Sequence, residues 1–196
     1  MGDAITIHLI RHGKTKANVE RKYIGHTDEP ILPLTPVQLT VRPSIVYGSD
    51  LQRCRQTAAC YFPYVPYKAN ADLRELHFGQ FEMKTYEELK DYPLYQKWLA
   101  DPLQVTPPDG ESFIDFTARV ERAMKQIIIM PGDYTFVVHG GVIRLLLVKF
   151  LQHPFNSVYA EHSTIYSCTW SHFSAWKEGE RCTSTSEVPI MASESM

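Results

Sequence analysis

Two histidines stand at matching places in this chain. His12 lies in Arg11-His12-Gly13, directly behind a branched apolar run at residues 4–10, and His139 lies in His139-Gly140-Gly141, directly behind another at residues 134–138. An imidazole delivered by the end of a buried strand can attack phosphorus if a backbone carbonyl holds its other nitrogen and fixes the tautomer. A covalent phosphohistidine would follow. The glycines after His139 let the backbone approach an anion where the next helix begins. Cleaving a phosphomonoester mainly requires that the group be positioned and its oxygens neutralised. Arg11, Arg53 and Arg144 offer planar forks that hold two oxygens at once. Glu75, within Leu73-Arg74-Glu75-Leu76-His77-Phe78-Gly79, could protonate the leaving oxygen, with Asp72 and Glu82 as competing carboxylates.

Taken singly, each of these residues has a plainer explanation. A lone histidine in a turn is more often a hydrogen-bonded structural group, Glu75 could be a surface carboxylate paired with Arg74, and Arg144 could be solvated on its helix. The histidine pair could also bind a metal, but the sequence has no HExxH and no Cys/His cluster, and Arg11 would set a fixed positive charge beside the ion. The expectation is therefore no metal site and no cofactor.

Strands are expected at residues 4–10, 44–47, 134–138 and 164–173. Helices are expected at 51–61, begun by a Ser49 or Asp50 cap, at about 113–128, and at 142–151. Alternating strands and helices imply an α/β fold: a three-layer sandwich with a mainly parallel central sheet, whose ligands gather at the carboxyl ends of the strands. Three polar turns would then share one rim. The Pro-rich stretches 30–36 and 102–108 read as loops, no repeat occurs, and one domain is expected over 1–182, followed by a loose tail, 183–196. Tyr86, Tyr92, Tyr95 and Trp98 read as a lid or a satellite core, with a partner-binding surface as the alternative.

With 196 residues and 44% hydrophobic content, the chain can bury one continuous core. A formal charge of -2 gives no basic excess for nucleic acid or an anionic membrane, so the expected partner is a small phosphorylated substrate held locally. Apolar runs fall well short of the roughly 20 residues of a membrane span, and the amino terminus lacks a secretory pattern, so a cytoplasmic location is expected. Cys54, Cys60, Cys168 and Cys182 form no CxxC pair and suit reduced thiols, with a single disulfide left open.

At this point the residues resemble the histidine phosphatase superfamily, which includes phosphoglycerate mutases and ribazole phosphatases. Residues 9–18, LIRHGKTKAN, resemble the RHGxTxxN signature, and 23–28, YIGHTD, the segment after it. Residues 49–58 resemble the block whose arginine grips phosphate, 73–82 the block with the acid, and 137–144 the second-histidine block. The five blocks keep the family's order over residues 7–151. The resemblance implies a phosphoglycerate mutase-like fold, His12 as nucleophile, Glu75 as acid and later base, and His139, Arg11, Arg53, Asn18 and the Gly140 backbone as the phosphate pocket.

The sequence also departs from that pattern. Only residues 36–43 stand where the family usually has a helix of several turns, so the region around 35–44 is shortened. That leaves part of the sheet less covered and bears on self-association, where a homodimer is one option. Phe81-Glu82-Met83 stands where many members read Trp-Glu-Gly. A compact chain has little room for the segments mutases use to retain a bisphosphate, which favours hydrolysis. The alternatives are a ribazole phosphatase of cobalamin assembly, a phosphoglycerate mutase and an inactive phosphate-binding module; intact catalytic positions argue against the last.

Overall fold

A computed structural model describes residues 3–190. In chain order these form β1 (Ile5–Arg11), α1 (Lys16–Val19), β2 (Val46–Gly48), α2 (Gln52–Tyr61), β3 (Tyr67–Ala69), α3 (Tyr86–Leu89) and α4 (Pro93–Ala100). Then follow α5 (Phe113–Ile127), β4 (Gly132–Val138), α6 (Gly140–Leu151), β5 (Thr164–Trp170), α7 (Phe173–Lys177) and β6 (Ser184–Pro189).

The strands join one sheet in the order β3-β2-β4-β1-β5-β6. The first four run parallel, and β5 runs antiparallel to β1 and to β6. The mainly parallel three-layer sandwich is therefore observed. The carboxyl ends of β1, β2 and β4 lie at one edge, and Ile10 pairs with Ile165, which brings the start of β5 to that same edge.

One sheet face carries Ile5, Ile7 and Leu9 of β1 with Phe136 and Val138 of β4, all sealed under α5 and α6. Helix α5 presents Phe116, Val120, Ala123 and Met124 at the three- and four-residue spacing that makes one apolar stripe, and Ser112 caps its start. The opposite face buries Ile10, Val46, Val137 and Ile165 beneath Cys54, Ala58 and Tyr61 of α2. Beyond α2 this face turns polar. Thr6, His8, Asp133, Thr135, Ser167 and Thr169 line an open groove of about 490 Å³ bordered by residues 40–43. Residues 35–44 contain neither helix nor strand, as the shortened segment predicts. Alternation along β1 and β5 supplies hydroxyls and an imidazole where an apolar face would otherwise need a covering helix.

Two expectations need correction. Neither Ser49 nor Asp50 caps α2: its N-cap is Leu51, without a side-chain bond, and the Gln52 N–H donates to Asp28 Oδ1 at 2.8 Å. Ser49 and Asp50 bond instead to His139 and Arg74. The tail expected to be loose from 183 is an added edge strand through 189, because β5 offers an unpaired backbone row. Its Ser-Thr-Ser-Glu text carries no apolar alternation, so the pairing left no trace in the sequence. The packed unit thus extends past 182, and residues 191–196 lie outside the described residues. Strand β3, short and half exposed, was equally unsignalled.

Tyr95 and Trp98 are buried with Phe81 and Leu89 in a satellite core against Tyr23 and Phe78, while Tyr86 and Tyr92 are exposed at its margin. All four cysteines are free.

Candidate active site

His12 leaves the end of β1 with its N–H donated to Val138 of β4 at 2.9 Å, and only 3% of the residue is exposed. Its Nδ1 lies 2.8 Å from the Gly13 carbonyl. A carbonyl can only accept, so Nδ1 carries the proton and Nε2 keeps its lone pair. Burial first, and then the Arg53 guanidinium, hold the His12 pKa well below the usual imidazole range, against the opposing pull of the Gly13 carbonyl. The ring is thus a neutral imidazole at neutral pH, with its lone pair on Nε2.

His139 follows β4, stands at the N-cap position of α6 and is fully buried, its ring 5.1 Å from that of His12. Arg53 Nε donates to His139 Nδ1 at 3.2 Å, which leaves the proton on Nε2 to donate to Ser49 Oγ at 2.7 Å. Arg53 itself is buried and bonds through its two amino groups to the Thr27 and Gly25 carbonyls at 2.8 and 2.6 Å. On the other side, Arg11 bonds to the Ala160 carbonyl at 2.7 Å, while its buried Nε has no partner among the described residues. A Cβ on Gly140 would meet Arg11 Cζ at 3.1 Å, so the glycine makes room for the guanidinium.

Glu75 is buried, its carboxylate accepting the Leu76 N–H at 2.9 Å and the Gly141 N–H at 2.8 Å. Its charge is felt by both Arg11 and Arg53. The competing carboxylates do other work. Asp72 pairs with Arg122, and Glu82 accepts the N–H groups of His26 and Thr27 at 2.8 Å each, fixing the segment whose carbonyls hold Arg53. Asn18 sits in a capping box with Thr15, whose N–H occupies the Asn18 Oδ1 at 3.1 Å, so the amide nitrogen is what it could offer a phosphate oxygen. Arg144 is only half-buried: it bonds to the Val158 and Phe155 carbonyls at 3.0 and 3.3 Å and stacks on the Phe155 ring, bracing the loop that carries Ala160.

Four participants escaped the sequence reading. Gly141 donates its N–H to Glu75, and Arg119, paired with Glu111 at 2.6 Å, bonds to the carbonyls of Asp72, Arg74 and Glu75. Thr57 Oγ1 receives the Gly13 N–H at 2.8 Å. His162 stands edge-on to His12 at 5.7 Å. Gly141 and Thr57 lay within marked blocks, as did Glu111 in Gly110-Glu111-Ser112, but no local text assigned them these partners.

A buried second imidazole, the buried Arg53, the half-buried Arg11 and one buried carboxylate thus gather around His12, whose ring is held in a single tautomer. Residues 7–187 match the family model described as Histidine phosphatase superfamily (branch 1). This chain belongs to the histidine phosphatase superfamily. An adenosylcobalamin/alpha-ribazole phosphatase of Salmonella typhimurium is 31% identical over 177 residues, covering 83% of this chain and 87% of that protein. A broad-specificity phosphatase of Saccharomyces cerevisiae is 27% identical over 82% of this chain and 77% of its own. The solved alpha-ribazole phosphatase from Shigella flexneri superposes with a TM-score of 0.73 at 28% identity, over 83% of this chain and 89% of that one.

Proposed function

We propose that this member of the superfamily is a phosphomonoesterase that hydrolyses a small phosphorylated metabolite through a phosphohistidine on His12. The observation that carries the reading is the His12 Nδ1–H bond to the Gly13 carbonyl, which leaves the lone pair on Nε2 of a ring that packs edge-on to His139 and feels the charges of Arg53 and Arg11.

In the first step Nε2 attacks phosphorus, the P–O bond to the alcohol breaks, and protonated Glu75 supplies the proton that the departing oxygen needs. In the second, Glu75 takes a proton from water, the water oxygen attacks phosphorus, and the P–N bond breaks to release inorganic phosphate. Arg11, Arg53, the amide of Asn18 and the first N–H groups of α6 at Gly140 neutralise the oxygens in flight. His139 works first through Arg53, whose Nε it orients. A phosphate dianion beside it would draw a second proton onto Nδ1 and turn it from acceptor to donor.

The test is hydrolysis of a panel containing ribazole phosphate, phosphoglycerates, other metabolite phosphates and para-nitrophenyl phosphate, with His12→Ala as control. Preference for ribazole phosphate would specify the substrate, and broad turnover that vanishes in His12→Ala would make the chain a general phosphatase. Glu75→Gln should slow alkyl phosphates by about 100-fold and activated aryl phosphates by less than about tenfold, because only the former need the acid. Turnover that survives in His12→Ala, or that a chelator abolishes and added metal restores, would reject the mechanism.

A further inference from the structure

His162 has no part in the chemistry just described, yet it reaches the nucleophile's own backbone. It lies in the loop ahead of β5, and its Nδ1 is 2.9 Å from the carbonyl oxygen of His12. A carbonyl only accepts, so His162 donates through Nδ1–H. The N–H of the same peptide group, on Gly13, donates to Thr57 Oγ1 at 2.8 Å, and that hydroxyl donates in turn to the Arg53 carbonyl at 2.7 Å. Both polar atoms of the His12–Gly13 peptide are therefore held by side chains from distant elements. The very next carbonyl, that of Gly13, is the one that receives the His12 Nδ1–H.

This geometry links a backbone plane to a tautomer. If the His12–Gly13 peptide rotates, the Gly13 carbonyl swings away from Nδ1, and the imidazole is free to move its proton to Nε2. In that tautomer the attacking lone pair is lost. Thr57 restrains the plane from the N–H side and His162 from the carbonyl side.

We propose, resting on the reading of His12 as nucleophile, that His162 is a positioning residue which clamps the His12–Gly13 peptide and so keeps the attacking nitrogen unprotonated. The groups facing it support this use of the ring. Arg11 and Lys14 bring positive charge from β1 and the turn after it, and His12 packs edge-on against it. Burial first, and Arg11 next, lower the His162 pKa to about 4. At neutral pH the clamp is therefore a neutral imidazole that adds no positive charge beside the nucleophile.

The experiment compares wild type, His162→Ala and His162→Asn, since an asparagine places its amide nitrogen as many bonds from the backbone as Nδ1. Two readouts are taken on each: kcat and KM for para-nitrophenyl phosphate, and the nitrogen chemical shifts of the His12 ring in 15N-histidine protein. The expected result is a kcat lower by about tenfold in His162→Ala, with KM changed by less than about threefold and with asparagine restoring most of the loss. The His12 ring should be the Nδ1–H tautomer in wild type and the asparagine variant, and a mixture in the alanine variant. An alanine variant with an unchanged tautomer, or an asparagine variant as impaired as alanine, would overturn the clamp. The tautomer is read without turnover, so it decides the clamp even where the phosphatase reading fails, and His12→Ala decides that reading separately. Thermal melting of all three proteins identifies a variant that has lost its fold, in which case His162→Asn carries the decision.

Discussion

The Gly141 N–H donates to Glu75 Oε2 at 2.8 Å, joining the carboxylate to the first turn of α6, two residues beyond His139. A Cβ at position 141 would stand 2.2 Å from Glu75 Oε1 and force the carboxylate aside. Gly141→Ala should therefore lower kcat on alkyl phosphates by at least about tenfold while leaving aryl phosphate turnover less affected, the pattern of a displaced acid. Equal loss on both substrate types, measured in parallel assays, would place the damage elsewhere.

Arg119 and Glu111 are both largely buried, and Arg119 is the hub for three loop carbonyls, those of Asp72, Arg74 and Glu75. Removing one partner leaves the other charge uncompensated. Glu111→Ala should cost about 3 kcal/mol in denaturant unfolding and reduce kcat through the same loop. A loss of under about 0.5 kcal/mol would show the pair to behave as a surface ion pair.

Met83 has φ +60°, a left-handed conformation in which its side chain is strained, at the position where the resemblance places glycine. Met83→Gly should raise stability by about 1 kcal/mol, because relief of that strain exceeds the extra backbone entropy of glycine. A lower melting temperature would instead mean that methionine packing outweighs the strain.

His12, His139 and His162 all have pKa values below the ordinary imidazole range, set first by burial. In each case the folded value lies under the unfolded one, so the unfolded chain binds more protons across the interval between them. Their contribution to stability is complete above about pH 6.5 and is lost as pH falls through the folded values, which for His162 is about 4. Melting temperature should drop between pH 7 and 4.5, and the drop should be shallower in His162→Asn. A drop just as steep in the variant would exclude His162 as a contributor.

The candidates for nucleophile, phosphate-gripping arginine and acid were legible because each sits in a short local pattern: a branched run ending in Arg11-His12-Gly13, the helix bearing Arg53, the loop bearing Glu75. The α5 stripe and the core strands β1 and β4 were legible because burial writes periodic apolar text. The cap of α2 was misread because Ser49 and Asp50, good caps by type, serve His139 and Arg74 instead. Edge strand β6 left no apolar signal, since an edge is recruited by its neighbour's backbone and needs no buried side chains of its own.

By itself, then, the sequence determined the family, the α/β layering, the rim where chemistry gathers and the residues whose types can transfer a phosphoryl group. Only the tertiary structure decided that β5 runs antiparallel to β1, which carries His162 to a peptide 150 residues away. It also decided which carboxylate meets α6, which arginine braces the Glu75 loop, and that the face left open by the short 35–44 segment is lined with hydroxyls. These are contacts between residues far apart in the chain. Their geometry follows from how strands pair and helices pack, and no local pattern of residue types encodes it.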